Sequence, residues 1–298
     1  MVRSILSAAV ALGASVAAAY LAGAALVARF PDRLLPFPEP ALSHTPGVLG
    51  LRHADVWIEV ALGRSLVHGW WLPNGEGAPV VLVLPGTGRT MAGSLHVAAA
   101  LLDAGAAVLM IDYRGFGRSD RGFPTEASML EDATAAWQQM RWFQGDPTRC
   151  LVYGHALGAA VALELAARSP DTAGVILEGA PTSMRDLLAG SGVARIFPLA
   201  WLLRGRFDAA AKLARVQVPI LFIHGRNDPI VPPAMSVELQ RRATAPTSLV
   251  LIDRARHGDA AIVGASEYKA AIGRLLPPRQ VLVLVPPGRA QSSTSPDS

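Results

Sequence analysis

The sequence predicts an α/β fold built on a mostly parallel sheet with helices on both faces, and three observations carry that reading. Short, nearly continuous apolar runs recur at residues 79–84 (PVVLVL), 106–111 (AAVLMI) and 219–225 (PILFIHG), and 248–253 (SLVLID) reads as a further strand. Runs of this kind are what strands buried on both faces require. Helical stretches fall between them, so the order is strand, helix, strand, which lays parallel strands side by side. Residues 150–165 (CLVYGHALGAAVALEL) pass from an apolar run through two glycines straight into an Ala/Leu-rich helical run, a strand, tight turn and helix in succession.

Taken in order, the chain opens with an apolar segment, residues 5–27, that holds no charged residue. At about 1.5 Å per residue this run spans a hydrocarbon core of about 30 Å. Residues 1–30 are therefore read as a single-pass N-terminal membrane anchor. The alternative is a secretory signal, cleaved near Ala22-Gly23-Ala24, that leaves a secreted protein. Arg3 precedes the segment while Arg29 and Arg33 follow it, which leaves the orientation open. Residues 31–50 carry Pro31, Pro36, Pro38, Pro40 and Pro46, a density that precludes a continuous helix and marks a linker.

The main domain is expected over residues 51–276. Residues 55–60 and 65–72 read as an antiparallel entry pair around Leu62-Gly63-Arg64, closed by Asn74-Gly75. Residues 79–84 start the sheet interior, followed by the turn Pro85-Gly86-Thr87-Gly88 and a helix over 96–102. The strand at 106–111 leads into a Gly-rich loop, 112–120, and then a helix over 131–143 whose Trp137 and Trp142 are read as core. Cys150 is the only cysteine; at a strand start it reads as a buried thiol, and no intrachain disulfide is possible. Residues 184–204 form a mixed apolar and Arg-bearing helical stretch. Residues 280–285 offer an edge strand, and the tail 277–298 ends in a Ser/Pro-rich segment expected to be disordered.

The chemistry centres on Gly154-His155-Ala156-Leu157-Gly158. In a nucleophile elbow the middle residue takes a strained angle that aims its side chain over the sheet, and glycines two positions away let strand and helix approach. The pattern G-x-S-x-G needs a hydroxyl in the middle, and here the residue is Ala156. An acid and then a histidine should follow on loops after strands. Asp228 turns off the end of 219–225, and His257 follows 248–253.

Six motifs in register accompany this constellation: LPGTG (84–88), DYRGFGRSD (112–120), GHALG (154–158), EGAPTS (178–183), RFDAAAKLARVQVPILFIHGRNDPIVP (206–232) and RHGD (256–259). On these the chain resembles the α/β-hydrolase superfamily from about residue 51 to 276. It is most similar to the membrane-anchored ABHD-like subgroup and the serine-aminopeptidase-like esterases. The resemblance implies an eight-stranded type of sheet and a short helical lid over about 181–214, where Phe197, Leu199, Trp201 and Leu202 line an acyl pocket, face a membrane or simply pack. It implies a Ser-His-Asp type mechanism on carboxylic ester, thioester or amide bonds, with Ala156 at the nucleophile position, Asp228 as acid and His257 as base. The oxyanion donors it implies are the backbone N–H groups of Thr87 and Leu157, with Gly154 and Gly158 shaping the elbow. Pro85 stands where relatives often have His.

Alanine removes the attacking atom, so activity is expected to be reduced or absent. The residue is read as native rather than as one introduced to trap a substrate. Two other functions stay open: a non-catalytic hydrolase-fold binding protein, and an enzyme that uses the His257/Asp228 pair as a general base without a covalent intermediate. Asp112 and Arg114 are expected to brace their loop. His155 and His224 are read as structural, with His155 pointing away from the chemistry. The expected partners are a small acyl-containing substrate and a membrane met through the N-terminal helix. No metal-ligand cluster or nucleotide fingerprint implies a cofactor. A net charge of +4 and a pI near 9.7 come mainly from scattered arginine, with no basic stripe that argues for nucleic acid. The oligomeric state is not encoded in any of these features.

Overall fold

The computed structural model describes residues 2–30, 42–60, 62–189 and 206–280, together with positions 194, 196 and 203. Residues 31–41 of the expected linker, the lid residues Phe197, Leu199, Trp201 and Leu202, and the expected edge strand from residue 281 onward lie outside the described residues.

Eight strands form one sheet in the order β1-β2-β4-β3-β5-β6-β7-β8. They are β1 Ala54–Val60, β2 Ser65–Leu72, β3 Val80–Leu84, β4 Ala107–Ile111, β5 Cys150–His155, β6 Gly174–Glu178, β7 Ile220–Gly225 and β8 Thr247–Ile252. The β1 and β2 hairpin joins antiparallel to β4, and every pairing from β4 to β8 is parallel. Strands β3 to β7 are buried at every position, which is why they read as unbroken apolar runs. The outer strand β8 is only half-buried, as an edge requires.

Period-two alternation sends successive side chains of each strand to opposite faces. Leu82, Leu84 and Val152 enter one core layer, while Val81, Val83 and Tyr153 enter the other. Helices α2 Leu95–Asp103, α3 Glu126–Gln144 and α4 Gly158–Arg168 cover these layers, α3 and α4 on the first and α2 on the second. Among the described residues five further helices follow: α5 Met184–Leu188, α6 Ala209–Lys212, α7 Ala234–Arg242, α8 Ala260–Val263 and α9 Ala265–Leu275.

The structure departs from the sequence reading at α3, which begins five residues before the expected start at 131. Thr125 Oγ1 accepts the Ser128 N–H at 3.1 Å, and Ser128 Oγ accepts the Thr125 N–H at 2.8 Å. This is a capping box with serine in the place usually held by Glu or Gln. Trp137 is buried as expected, but Trp142 is 79% exposed. The apolar stripe of α3 runs through Met129, Ala133, Trp137 and Met140, and Trp142 falls off its helical repeat.

At the N-terminus, α1 Val2–Arg29 is a single helix. Its segment Leu6–Arg29 is long and apolar enough to cross a membrane, with mean hydropathy 2.0, and is largely exposed, with Val27 partly buried against the domain core. Cys150 is buried, and burial pushes its thiol up to about 12.

Candidate active site

The turn between β5 and α4 has the geometry an elbow needs. Ala156 sits at φ +49°, a left-handed conformation that costs a non-glycine residue about 1–2 kcal/mol. Its N–H donates to the Glu178 carbonyl at 2.9 Å, which ties the turn to β6. The flanking glycines are there because nothing larger fits. A Cβ on Gly154 would stand 2.7 Å from Ala159 Cα, and one on Gly158 would stand 2.7 Å from the Leu84 carbonyl oxygen. Strand, helix and the β3 terminus thus meet at backbone contact. The loop after β3 closes over the elbow, since a Cβ on Gly86 would come 3.1 Å from that of Ala156.

Asp228 and His257, separated in sequence by the whole of α7 and β8, come together beside this turn. His257 Nδ1 lies 2.7 Å from Asp228 Oδ2. The other carboxylate oxygen accepts the N–H groups of Ile230 and Val231 at 2.8 and 2.9 Å. Burial raises the Asp228 pKa, but hydrogen bonds from His224 and His257, the His257 charge and the Val231 N–H outweigh it and hold the carboxyl well below the usual range. Asp228 is therefore an ionised, almost fully buried acceptor. Its hold on Nδ1 leaves the other ring nitrogen of His257 available for proton transfer.

The remaining histidines divide. His224 is locked, with Nδ1 at 2.6 Å from Ser236 Oγ and Nε2 at 2.9 Å from the Val231 carbonyl. His155 was expected to point away; instead its ring packs on that of His257, with centroids 4.7 Å apart. The tight turn carries the residue before Ala156 into the site as well. Burial pushes the His155 pKa well below the ordinary imidazole value, and the positive charges of His257, Arg89 and His96 lower it further against a small opposing effect of Asp228. His155 is thus a neutral ring, and its Nε2 has no hydrogen-bond partner among the described residues.

A cavity of about 490 Å³ opens over the turn, with Thr87, Ala156, Leu157 and His257 among its lining and Met184, Leu187, Leu188, Ile230 and Val231 supplying apolar walls. Three of those wall residues belong to α5, the described start of the expected lid. Asp112 and Arg114 stay outside the cavity. Asp112 accepts the Met91 N–H at 2.6 Å, and burial, partly offset by that bond, raises its carboxyl to about 7. Arg114 binds Asp132 at 2.6 Å and also pairs with Glu131. Both brace the loop as the sequence reading expected. Among the described residues no group of three or more His, Cys, Asp or Glu is placed to hold a metal ion.

This arrangement agrees with what the chain is similar to. The serine aminopeptidase, S33, family pattern matches residues 75–207 and 185–259, a span that holds the elbow, Asp228 and His257. The chain belongs to that family. An uncharacterised protein of Mycobacterium tuberculosis (strain H37Rv) is 34% identical over 234 residues, covering 76% of this chain and 80% of its own. The alpha/beta hydrolase domain-containing protein WAV2 of Arabidopsis thaliana is 30% identical over 247 residues, covering 76% of this chain and 79% of its own. Among solved structures, the esterase Pf2001 of Pyrococcus furiosus superposes with a TM-score of 0.67 at 20% identity, covering 81% of this chain and 97% of that one. At that identity the likeness establishes the fold, and the S33 family member described here has the α/β-hydrolase fold.

Two contributors to this S33-family site were not singled out by sequence reasoning. Arg89 and His96 follow the LPGTG turn and lie near His155 and His257. The signal available was their position just beyond the loop after β3, where residues lie close to the elbow in this fold.

Proposed function

We propose that this protein is an acyl-group hydrolase scaffold for carboxylic ester, thioester or amide bonds, silenced at Ala156, so that it holds an acyl substrate and turns it over slowly or not at all. The observation that carries the reading is the His257–Asp228 hydrogen bond of 2.7 Å beside a turn whose central residue is held at φ +49°. A buried, ionised carboxylate that fixes one imidazole nitrogen is the arrangement that lets the other accept and return a proton.

With serine at 156, His257 would take the hydroxyl proton as Oγ attacked the carbonyl carbon. The backbone N–H groups of Leu157 and Thr87 would hold the resulting oxyanion, each donor contributing on the order of 10²–10³ in rate. His257 would then pass the proton to the leaving group, and water would release the acyl group by the same steps. Alanine has no atom for the first bond, and loss of a nucleophile in such a site costs on the order of 10⁶ in turnover.

The intact dyad also favours a second reading, in which His257 activates a water directly. In both, α1 tethers the domain to a membrane as a single-pass anchor, the alternative being a signal segment. Hydrolysis of a short p-nitrophenyl ester by the full chain, beside Ala156→Ser and His257→Ala, separates the readings. Activity confined to the serine variant supports a silenced hydrolase. Activity of the unaltered chain that disappears in His257→Ala supports the dyad, and silence of all three leaves a binding protein.

A further inference from the structure

A second lobe of about 470 Å³ is lined among others by Arg89, His96, Arg256, His257 and Ile230. It shares Arg89, Ile230 and His257 with the acyl cavity, so the two adjoin at these residues. Their linings differ. The first has the apolar walls of α5 and one arginine, Arg89, whereas the second lacks those walls and adds Arg256 to Arg89.

Neither Arg89 nor Arg256 has a carboxylate within ion-pair distance among the described residues, a state they share with other arginines such as Arg254 and Arg274. The one carboxylate in the lobe's lining, Asp259, accepts the Arg256 backbone N–H at 2.6 Å and caps the turn before α8. His96 Nε2 is bonded to the Gly258 carbonyl at 2.7 Å. The two arginines are therefore the charges left to meet a ligand. The depression of the His155 pKa, due first to burial and then to His257, Arg89 and His96, is consistent with a positive field at this end of the site.

The hydrolase reading assigns a direction to this asymmetry. A histidine that returns its proton to the departing atom must face the leaving group. With the acyl chain against Met184, Leu187 and Leu188, the adjoining arginine-lined lobe, which also includes His257, is the space left for the leaving group. We propose that the leaving-group portion of the substrate carries a phosphate, making the substrate class an acyl ester or thioester of a phosphorylated alcohol or thiol, held by Arg89 and Arg256. Two guanidinium groups match the roughly −1.5 to −2 charge of a phosphomonoester and its bidentate geometry.

This inference rests on the hydrolase reading for its direction, but it is tested without chemistry. The full chain, with Ala156 unchanged and reconstituted in lipid nanodiscs, is titrated calorimetrically with three ligands that have no scissile acyl bond. These are 1-O-octylglycerol, its 3-phosphate, and S-octyl phosphopantetheine. The expected result is a Kd at least tenfold lower for one or both phosphorylated ligands than for octylglycerol, with the preference lost in Arg89→Gln/Arg256→Gln. The lipid-like or the carrier-like phosphate binding more tightly assigns the source. Equal Kd values for all three ligands, or a preference that survives the double variant with its circular dichroism unchanged, overturns the inference. Failure of Ala156→Ser to react with a fluorophosphonate would remove the hydrolase reading separately.

Discussion

His257 and Asp228 are joined by a 2.7 Å hydrogen bond that links the loop after β8 to the loop after β7, two strands that run parallel and in register from Ile220 against Thr247 to Gly225 against Ile252. That register brings the two loops out of the same sheet edge beside the elbow at the end of β5. The pair is thus positioned by strand register together with its own hydrogen bonds, and its chemistry can be probed one residue at a time.

Ala156→Ser is expected to fold as the parent does, because the left-handed turn already holds a residue with a Cβ. In that variant p-nitrophenyl butyrate hydrolysis should rise by at least about 10³-fold over the unaltered chain, within the span a nucleophile supplies. Gel-based fluorophosphonate labelling at position 156 checks it; a folded variant that stays unlabelled ends the silenced-hydrolase reading.

Asp228→Asn in the serine background should lower kcat by about 10⁴, with KM little changed, since the amide favours the wrong imidazole tautomer. The same carboxyl sets a pH dependence of stability. Its folded pKa lies below the unfolded value of about 3.9, so the stabilisation is fully present above that value and is lost as the pH falls through the folded pKa. Thermal melts of the unaltered chain from pH 6 to pH 2 should therefore show a steeper fall in Tm than melts of the Asn variant. Parallel curves for the two proteins would contradict the depressed pKa.

Gly158→Ala is expected to destabilise the domain by about 1–3 kcal/mol, the range for forcing a methyl into packed structure. Its Cβ would meet the Leu84 and Pro85 carbonyl oxygens at 2.7 and 2.6 Å, and backbone atoms at a strand end have nowhere to move. Chemical denaturation compared with Gly273→Ala, where an added Cβ meets nothing within 4 Å, provides the measurement.

Burial pushes the Cys150 thiol up to about 12, so the native protein should resist iodoacetamide at pH 8 for hours. It should alkylate within minutes in guanidinium chloride, where the thiol returns to its ordinary range of about 8.5. Mass spectrometry of the two samples reads the difference. Rapid native alkylation would mean that the start of β5 opens to solvent.

The parallel sheet was legible because burial on both faces leaves an unbroken apolar run, as in β3, β4, β5 and β7, whereas β6, Gly174–Glu178, was not picked out from the sequence. The elbow was legible because Gly154 and Gly158 flank a strand-to-helix turn that nothing bulkier permits. The start of α3 was missed because Ser128 does the work expected of a Glu or Gln. Helix α7, Ala234–Arg242, was given no bounds from the sequence; Ser236 and Leu239 are its buried residues, too few to impose a visible apolar repeat. Trp142 was read as core from its type alone, though the helical repeat places it in solvent.

The linear order of residues by itself determined the α/β class, the order of elbow, acid and histidine, and the absence of a hydroxyl at position 156, because each depends on local pattern or residue identity. Only the tertiary structure decided that His155 stacks on His257 and that Asp228 is buried under two backbone N–H groups. It also decided that Arg89 and Arg256 share one lobe. The His155–His257 and Arg89–Arg256 relationships join residues from separate loops at the C-terminal ends of the strands, and strand register and turn geometry, which no local pattern encodes, set the distances between them.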